Sequence, residues 1–161
     1  MEVTECPGTG VRILNRPAPQ AFAESVKYAE ANLYARASEF IGDRNPRQHE
    51  FSIQLRAFDT SKHGRSLGVA VLLALCSALI NKSLRGGLVI VGGLNFGGSI
   101  DLQPNAIDMV ELVVEKGASV LLMPISSRKQ LFDLSDELAT RITAVFYSDA
   151  REACSKAMVD A

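Results

Sequence analysis

The chain has 161 residues, 47% of them hydrophobic and 22% charged, and its 17 basic and 18 acidic side chains leave a formal charge of -1. That length allows one sizeable core and is short for two, and the ordinary balance of residue types excludes a disordered or fibrous chain. Near-neutral charge excludes a global positive field that would hold nucleic acid or an anionic membrane.

From the N-terminus, Met1 to Glu5 lack the charged segment and apolar run of a signal peptide. Pro7-Gly8, Gly10, Pro17 and Pro19 punctuate a loop-like start around a short β-type run, Val11 to Leu14. From Phe22 the apolar residues Val26, Ala29, Leu33, Ala37 and Phe40 recur at steps of three and four, which predicts one amphipathic helix closed by Gly42. Phe51, Ile53 and Leu55 alternate with Ser52, Gln54 and Arg56, the period of a half-buried strand. A polar loop, Asp59 to Arg65, leads to Ser66 and then to the apolar run Leu67 to Ile80. That run is too short to cross a bilayer and predicts a helix buried on most sides.

Leu88 to Val91 and Ser99 to Leu102 read as two strands joined by a turn containing Gly92-Gly93 and Gly97-Gly98. Pro104 opens a helix with Ile107, Val110, Val113 and Val114 inward and Gly117 as its C-terminal cap. There follow a strand from Ser119 to Met123 ending in Pro124, helical pieces at Lys129 to Phe132 and Asp136 to Ile142, and a strand from Ala144 to Tyr147. The last helix starts at Asp149, which has capping-box spacing to Glu152. Strands alternating with helices predict an α/β (α+β) fold, mixed sheets with parallel pairs packed by helices.

Cys6, Cys76 and Cys154 are odd in number and widely spaced, unlike a disulfide framework or a zinc site, so a reducing cytoplasm is the expected location and Cys76 the expected core residue. Asp101, and Asp108 with Glu111 at i, i+3, read as solvated faces. So does the basic pair in Ser126-Ser127-Arg128-Lys129, and His49 reads as a surface residue.

Ser66 is the residue with chemical interest. A serine at the head of a buried helix lies beside free backbone N–H donors at the positive end of the helix dipole, where an oxyanion could be held. An N-cap serine would have the same spacing.

His63-Gly64-Arg65-Ser66-Leu67-Gly68, the apolar helix and the Gly92 turn resemble the proteolytic domain of Lon-type ATP-dependent proteases. That family's signature is an acidic residue, Gly, Pro, the nucleophilic Ser, a small residue and Gly. The likeness extends to Cys6-Pro7-Gly8-Thr9-Gly10, Phe22 to Gly42, Phe51 to Arg56 and Ala118 to Pro124. Val91-Gly92-Gly93-Leu94, Leu131 to Asp136 and Phe146-Tyr147-Ser148-Asp149 resemble the Lon-like proteins of BREX phage-defence systems. The resemblance implies that residues 1–161 are a single Lon proteolytic-type domain, the C-terminal part of a longer AAA+ protein.

The family's activity is a Ser–Lys dyad in a hexameric ring that digests unfolded protein. Carried over from Ser66 without a gap, the lysine position falls on Met109, and a thioether accepts no proton at neutral pH. Val91 stands where the family has a threonine, His63 replaces the acidic residue, and Arg65 displaces the proline. His63 is the candidate substitute base; Lys116 lies two helical turns past Met109, about 10 Å away at ~1.5 Å per residue. Two readings follow: a Lon-type serine peptidase, or a catalytically inactive Lon-fold module for oligomerisation or recruitment. No G-x-x-x-x-G-K-[ST] loop is present, so ATP is expected upstream, and neither a cofactor nor a metal is expected in this domain. The expected partners are further copies in a ring, unfolded protein or peptide if the site is active, and DNA through the full-length protein, with no membrane.

Overall fold

The computed structural model describes residues 1–14, 20–54, 67–102 and 105–159. The first sheet has the order β1-β3-β2. Its centre is β3 (His49–Gln54), flanked by antiparallel β1 (Glu2–Pro7) and parallel β2 (Gly10–Ile13). Pairing in register sets Val3, Val11 and Ile13 beside the buried Phe51 and Ile53. β1 replaces part of the expected loop. Its residues are mostly polar, as suits an edge strand, so backbone pairing with β3 and no apolar alternation defines it.

The amphipathic stretch from Phe22 is two helices. α1 (Gln20–Ala35) buries Phe22, Val26, Ala29 and Leu33, the face the three-and-four spacing predicts. At Arg36 the backbone leaves helical geometry (φ -131°, ψ 30°), and α2 (Ala37–Ile41) runs to Gly42 at φ 64°. The break turns α2 back onto the central helix α3 (Gly68–Ile80). α3 is apolar all round, with Val69, Val71, Leu72, Leu73, Leu75, Cys76 and Leu79 buried, so its neighbours must enclose it.

The second sheet, in the order β4-β5-β6, is all parallel: β4 (Leu88–Ile90), β5 (Val120–Pro124) and β6 (Thr143–Tyr147). α4 (Ala106–Glu115) connects the first two. A 3-10 segment (Ile125–Asp133) and α5 (Asp136–Arg141) connect the last two. As parallel sheets require, both faces are covered. Leu88, Ile90, Leu122, Val145 and Tyr147 join the main core around α1, α3 and α6 (Ala150–Ala157), whereas Val89, Leu121, Met123 and Phe146 join a second apolar cluster on α4.

Ser99 to Leu102 is not a strand. Leu94 and Ile100 make a single antiparallel bridge, Leu102 is exposed, and β4 pairs with β5 instead. At α6, Asp149 accepts from Glu152 N at 2.7 Å, but the Glu152 carboxylate bonds Ser148 N and Oγ, one residue short of a full capping box. His49 is no lone surface histidine: its Nδ1 meets the Glu5 carboxylate across β1 and β3. Among the described residues no helix is long and apolar enough to cross a membrane.

Candidate functional site

The three strands of the parallel sheet end on one side, the usual place for a site in such folds. Past β4 the chain continues through Val91, whose N–H donates to Leu122 O at 2.9 Å. Three carbonyls then fix this segment. Val91 O accepts the Tyr147 hydroxyl at 2.7 Å, Gly92 O accepts Val69 N at 3.2 Å, and Gly93 O accepts Asp101 N at 2.8 Å. The second of these ties the first turn of α3, where N–H groups have no helical partner, directly to the glycine segment.

Two glycines permit that approach. A Cβ on Gly68 would lie 2.8 Å from Leu94 Cβ and 2.9 Å from Leu94 N, and one on Gly92 would lie 1.8 Å from the Tyr147 hydroxyl oxygen. Gly68 is the last residue of the serine motif, so the motif's glycine is explained by contact with residue 94. Burial pushes the Tyr147 phenol well above its usual range, which keeps it a neutral donor.

Beyond Leu94 a short hairpin is clamped to α1. Asn32 Nδ2 donates to Asn95 O at 3.1 Å, the Arg36 guanidinium donates to Gly97 O, and Tyr28 meets Phe96 edge-on with ring centroids 6.2 Å apart. The backbone break at Arg36 thus coincides with the residue that holds the hairpin.

Met109 lies in the first half of α4, its N–H on Asn105 O at 3.1 Å and its side chain half-buried in the second apolar cluster. Val91, Ala106 and Val110 belong to the same cluster. The two described positions where the resemblance sets a threonine and a lysine, Val91 and Met109, are therefore brought together as apolar packing. Ser66 and His63, with Arg65, lie outside the described residues. The described residues next to Ser66, Leu67 and Gly68, open α3 beside Gly92 and Leu94.

Lys116 is exposed at the far end of α4, past that cluster. Asp101, Asp108 and Glu111 are exposed, as are Arg128 and Lys129, while Ser127 is buried. No group of three His, Cys, Asp or Glu among the described residues could hold a metal. Sequence patterns missed Tyr147, Asn32 and Gln130. Gln130 Oε1 accepts Ala106 N at 3.0 Å and so caps α4, whose entry residue Asn105 sits at φ 60°. All three act across long sequence separations, which periodicity cannot register.

The model of the Lon protease (S16) C-terminal proteolytic domain family matches residues 1–160. Among similar proteins, the Lon-like protease BrxL of Escherichia coli O9:H4 is 27% identical over 146 residues, 89% of this chain and 20% of that protein. BrxL of Bacillus cereus is 27% identical over 92 residues, 57% of this chain and 14% of its own length. The Lon protease of Lawsonia intracellularis is 28% identical over 143 residues, 88% of this chain and 17% of its own length. The chain spans a fifth or less of the length of these relatives. It belongs to the Lon C-terminal proteolytic domain family.

Proposed function

We propose, taking that membership as the premise, that this chain is a Lon-fold module that no longer cuts peptides by Ser–Lys chemistry and serves as an assembly or recruitment element of an ATP-driven protein. The observation that carries the reading is the apolar cluster holding both Met109 and Val91. A serine hydroxyl is a weak nucleophile and needs an adjacent base. In a Ser–Lys dyad that base is a desolvated amine with a depressed pKa. At Met109 the chain offers a thioether, which takes no proton, and Val91 in the same apolar cluster supplies no hydroxyl. Loss of one member of such a unit lowers the rate by roughly four to six orders of magnitude, because the members act together.

In this reading the retained parts are structural. Gly68, Gly92 and the hydrogen bonds to Val91, Gly92 and Gly93 keep the region built as a cleavage site is built, while the proton acceptor is gone. ATP is handled by another part of the protein, copies assemble in a ring, and DNA is reached through the whole protein, in a BREX-type phage-defence setting to which the BrxL similarity lends support. The near-neutral charge makes this domain a poor candidate for the DNA contact itself.

Casein digestion by the full-length protein with ATP, compared with Ser66→Ala, tests the reading. Equal and negligible digestion is expected. Digestion that disappears in Ser66→Ala would establish a peptidase and make His63 the leading substitute base.

A further inference from the structure

Asn32 is 2% exposed on the face of α1 that otherwise buries Phe22, Val26, Ala29 and Leu33. A buried carboxamide is costly unless its N–H groups find acceptors. Both do: Asn32 Nδ2 donates to Tyr28 O at 2.7 Å, within α1, and to Asn95 O at 3.1 Å, in the hairpin after β4. Arg36, just past the end of α1, stays in line with Asn32 because its N–H donates to Asn32 O at 3.0 Å, and its guanidinium donates to Gly97 O. The spacings match. Side chains four apart on a helix lie about 5–6 Å apart, and residues two apart on an extended chain lie about 6–7 Å apart. Tyr28, one turn before Asn32, adds the edge contact to Phe96.

The hairpin is closed around Asn95. Asn95 N–H donates to Ser99 O, Ser99 N–H to Asn95 Oδ1 and Gly98 N–H to Asn95 O, each at 3.0 Å. At Gly98, where φ is 92°, a Cβ would fall 1.9 Å from Arg36 Nη1, so the guanidinium lies directly against the backbone. Leu94, next to Asn95, is 3% exposed and is the residue that Gly68 approaches, while Asp101 on the returning arm donates to Gly93 O. One short segment thus faces α1 on one side and the first turn of α3 on the other.

We propose that Asn32 and Arg36 are positioning residues, which hold the hairpin from α1 and, through Leu94 and Gly93, set where the first turn of α3 sits. A shift of α1 is passed to Asn95, from there to Leu94, and so to Gly68 and Val69. α1 is thereby the element through which the head of α3 is controlled, although it supplies no group to the site itself. The inference stands apart from the loss of the base at Met109, because none of these contacts involves α4.

The test is amide hydrogen exchange of the full-length protein, read by mass spectrometry at single-residue resolution, in wild type, Asn32→Ala and Arg36→Ala. Exchange at Val69, whose N–H donates to Gly92 O, and at Asp101, whose N–H donates to Gly93 O, should rise roughly tenfold or more, as expected when a buried hydrogen bond is lost and the segment opens locally. Amides of β3 and β5, the central strands of the two sheets, should keep their wild-type rates. Arg36 is only partly buried, so Arg36→Ala carries the test even if Asn32→Ala does not fold. A rise shared equally by β3 and β5 would reduce both residues to general stability. A rise confined to Asn95, Gly98 and Ser99, with Val69 unchanged, would show that the hairpin moves without the head of α3. Either result would overturn the proposal.

Discussion

The contact between Gly92 and Tyr147 gives a prediction whose size follows from the geometry. In Gly92→Ala the new methyl would fall 1.8 Å from the Tyr147 hydroxyl oxygen, with Tyr147 Cζ and Val69 Cγ2 each at 3.2 Å. The ring is 1% exposed and has nowhere to withdraw without releasing the 2.7 Å bond to Val91 O. Overpacking costs about 1–3 kcal/mol, and stranding the buried Val91 carbonyl costs about 1–3 kcal/mol more, for a total of roughly 2–6 kcal/mol. Tyr147→Phe strands the same carbonyl but removes the clashing oxygen. The double variant therefore loses that hydrogen bond once, and its destabilisation should fall short of the sum of the single variants by about 1–3 kcal/mol. At roughly 2–4 °C per kcal/mol for a chain of this size, its Tm should lie roughly 2–12 °C above the additive value. Thermal and urea unfolding followed by circular dichroism measure this. Additivity within about 0.5 kcal/mol would refute the contact.

Gly68→Ala sets a Cβ against the Leu94 backbone and should cost about 1–3 kcal/mol despite alanine's higher helix propensity, with faster hydrogen exchange at the Val69 amide. Unchanged exchange there would show that α3 is not seated through Gly92. Gln130→Ala removes the acceptor for Ala106 N and should lower stability by about 0.5–2 kcal/mol in urea titration, whereas no loss would mean that water replaces the cap. Glu152, whose pKa is lowered to about 2 by Lys156 and then by the Ser148 hydroxyl and N–H, contributes stability above its unfolded value of 4.5. As pH falls from 4.5 toward about 2, wild type should therefore lose stability relative to Glu152→Gln. Parallel curves would remove Glu152 from the acid transition.

Much of the fold was legible because the elements follow simple periods. The inward face of α1, the all-apolar α3, β5 running into Pro124 and the Asp149 cap each rest on residues close in sequence. What the patterns did not carry depends on distant partners. β1 has few apolar residues and exists through its ladder to β3. The helix break at Arg36 accompanies its bond to Gly97, and Ser99 to Leu102 fails as a strand because β5, and not this segment, pairs with β4. Of the site, Gly68 and Met109 could be located by motif and spacing. Tyr147 could not, since nothing local to β6 signals a hydrogen bond to Val91.

The proposed loss of the Ser–Lys base is read most directly from the reactivity of the Ser66 hydroxyl. Full-length protein incubated with a fluorophosphonate and analysed by peptide mapping should show no adduct at Ser66, since an unassisted serine reacts too slowly. Stoichiometric labelling of Ser66 in the wild-type protein, abolished by denaturation, would contradict the account and establish Ser66 as an activated nucleophile.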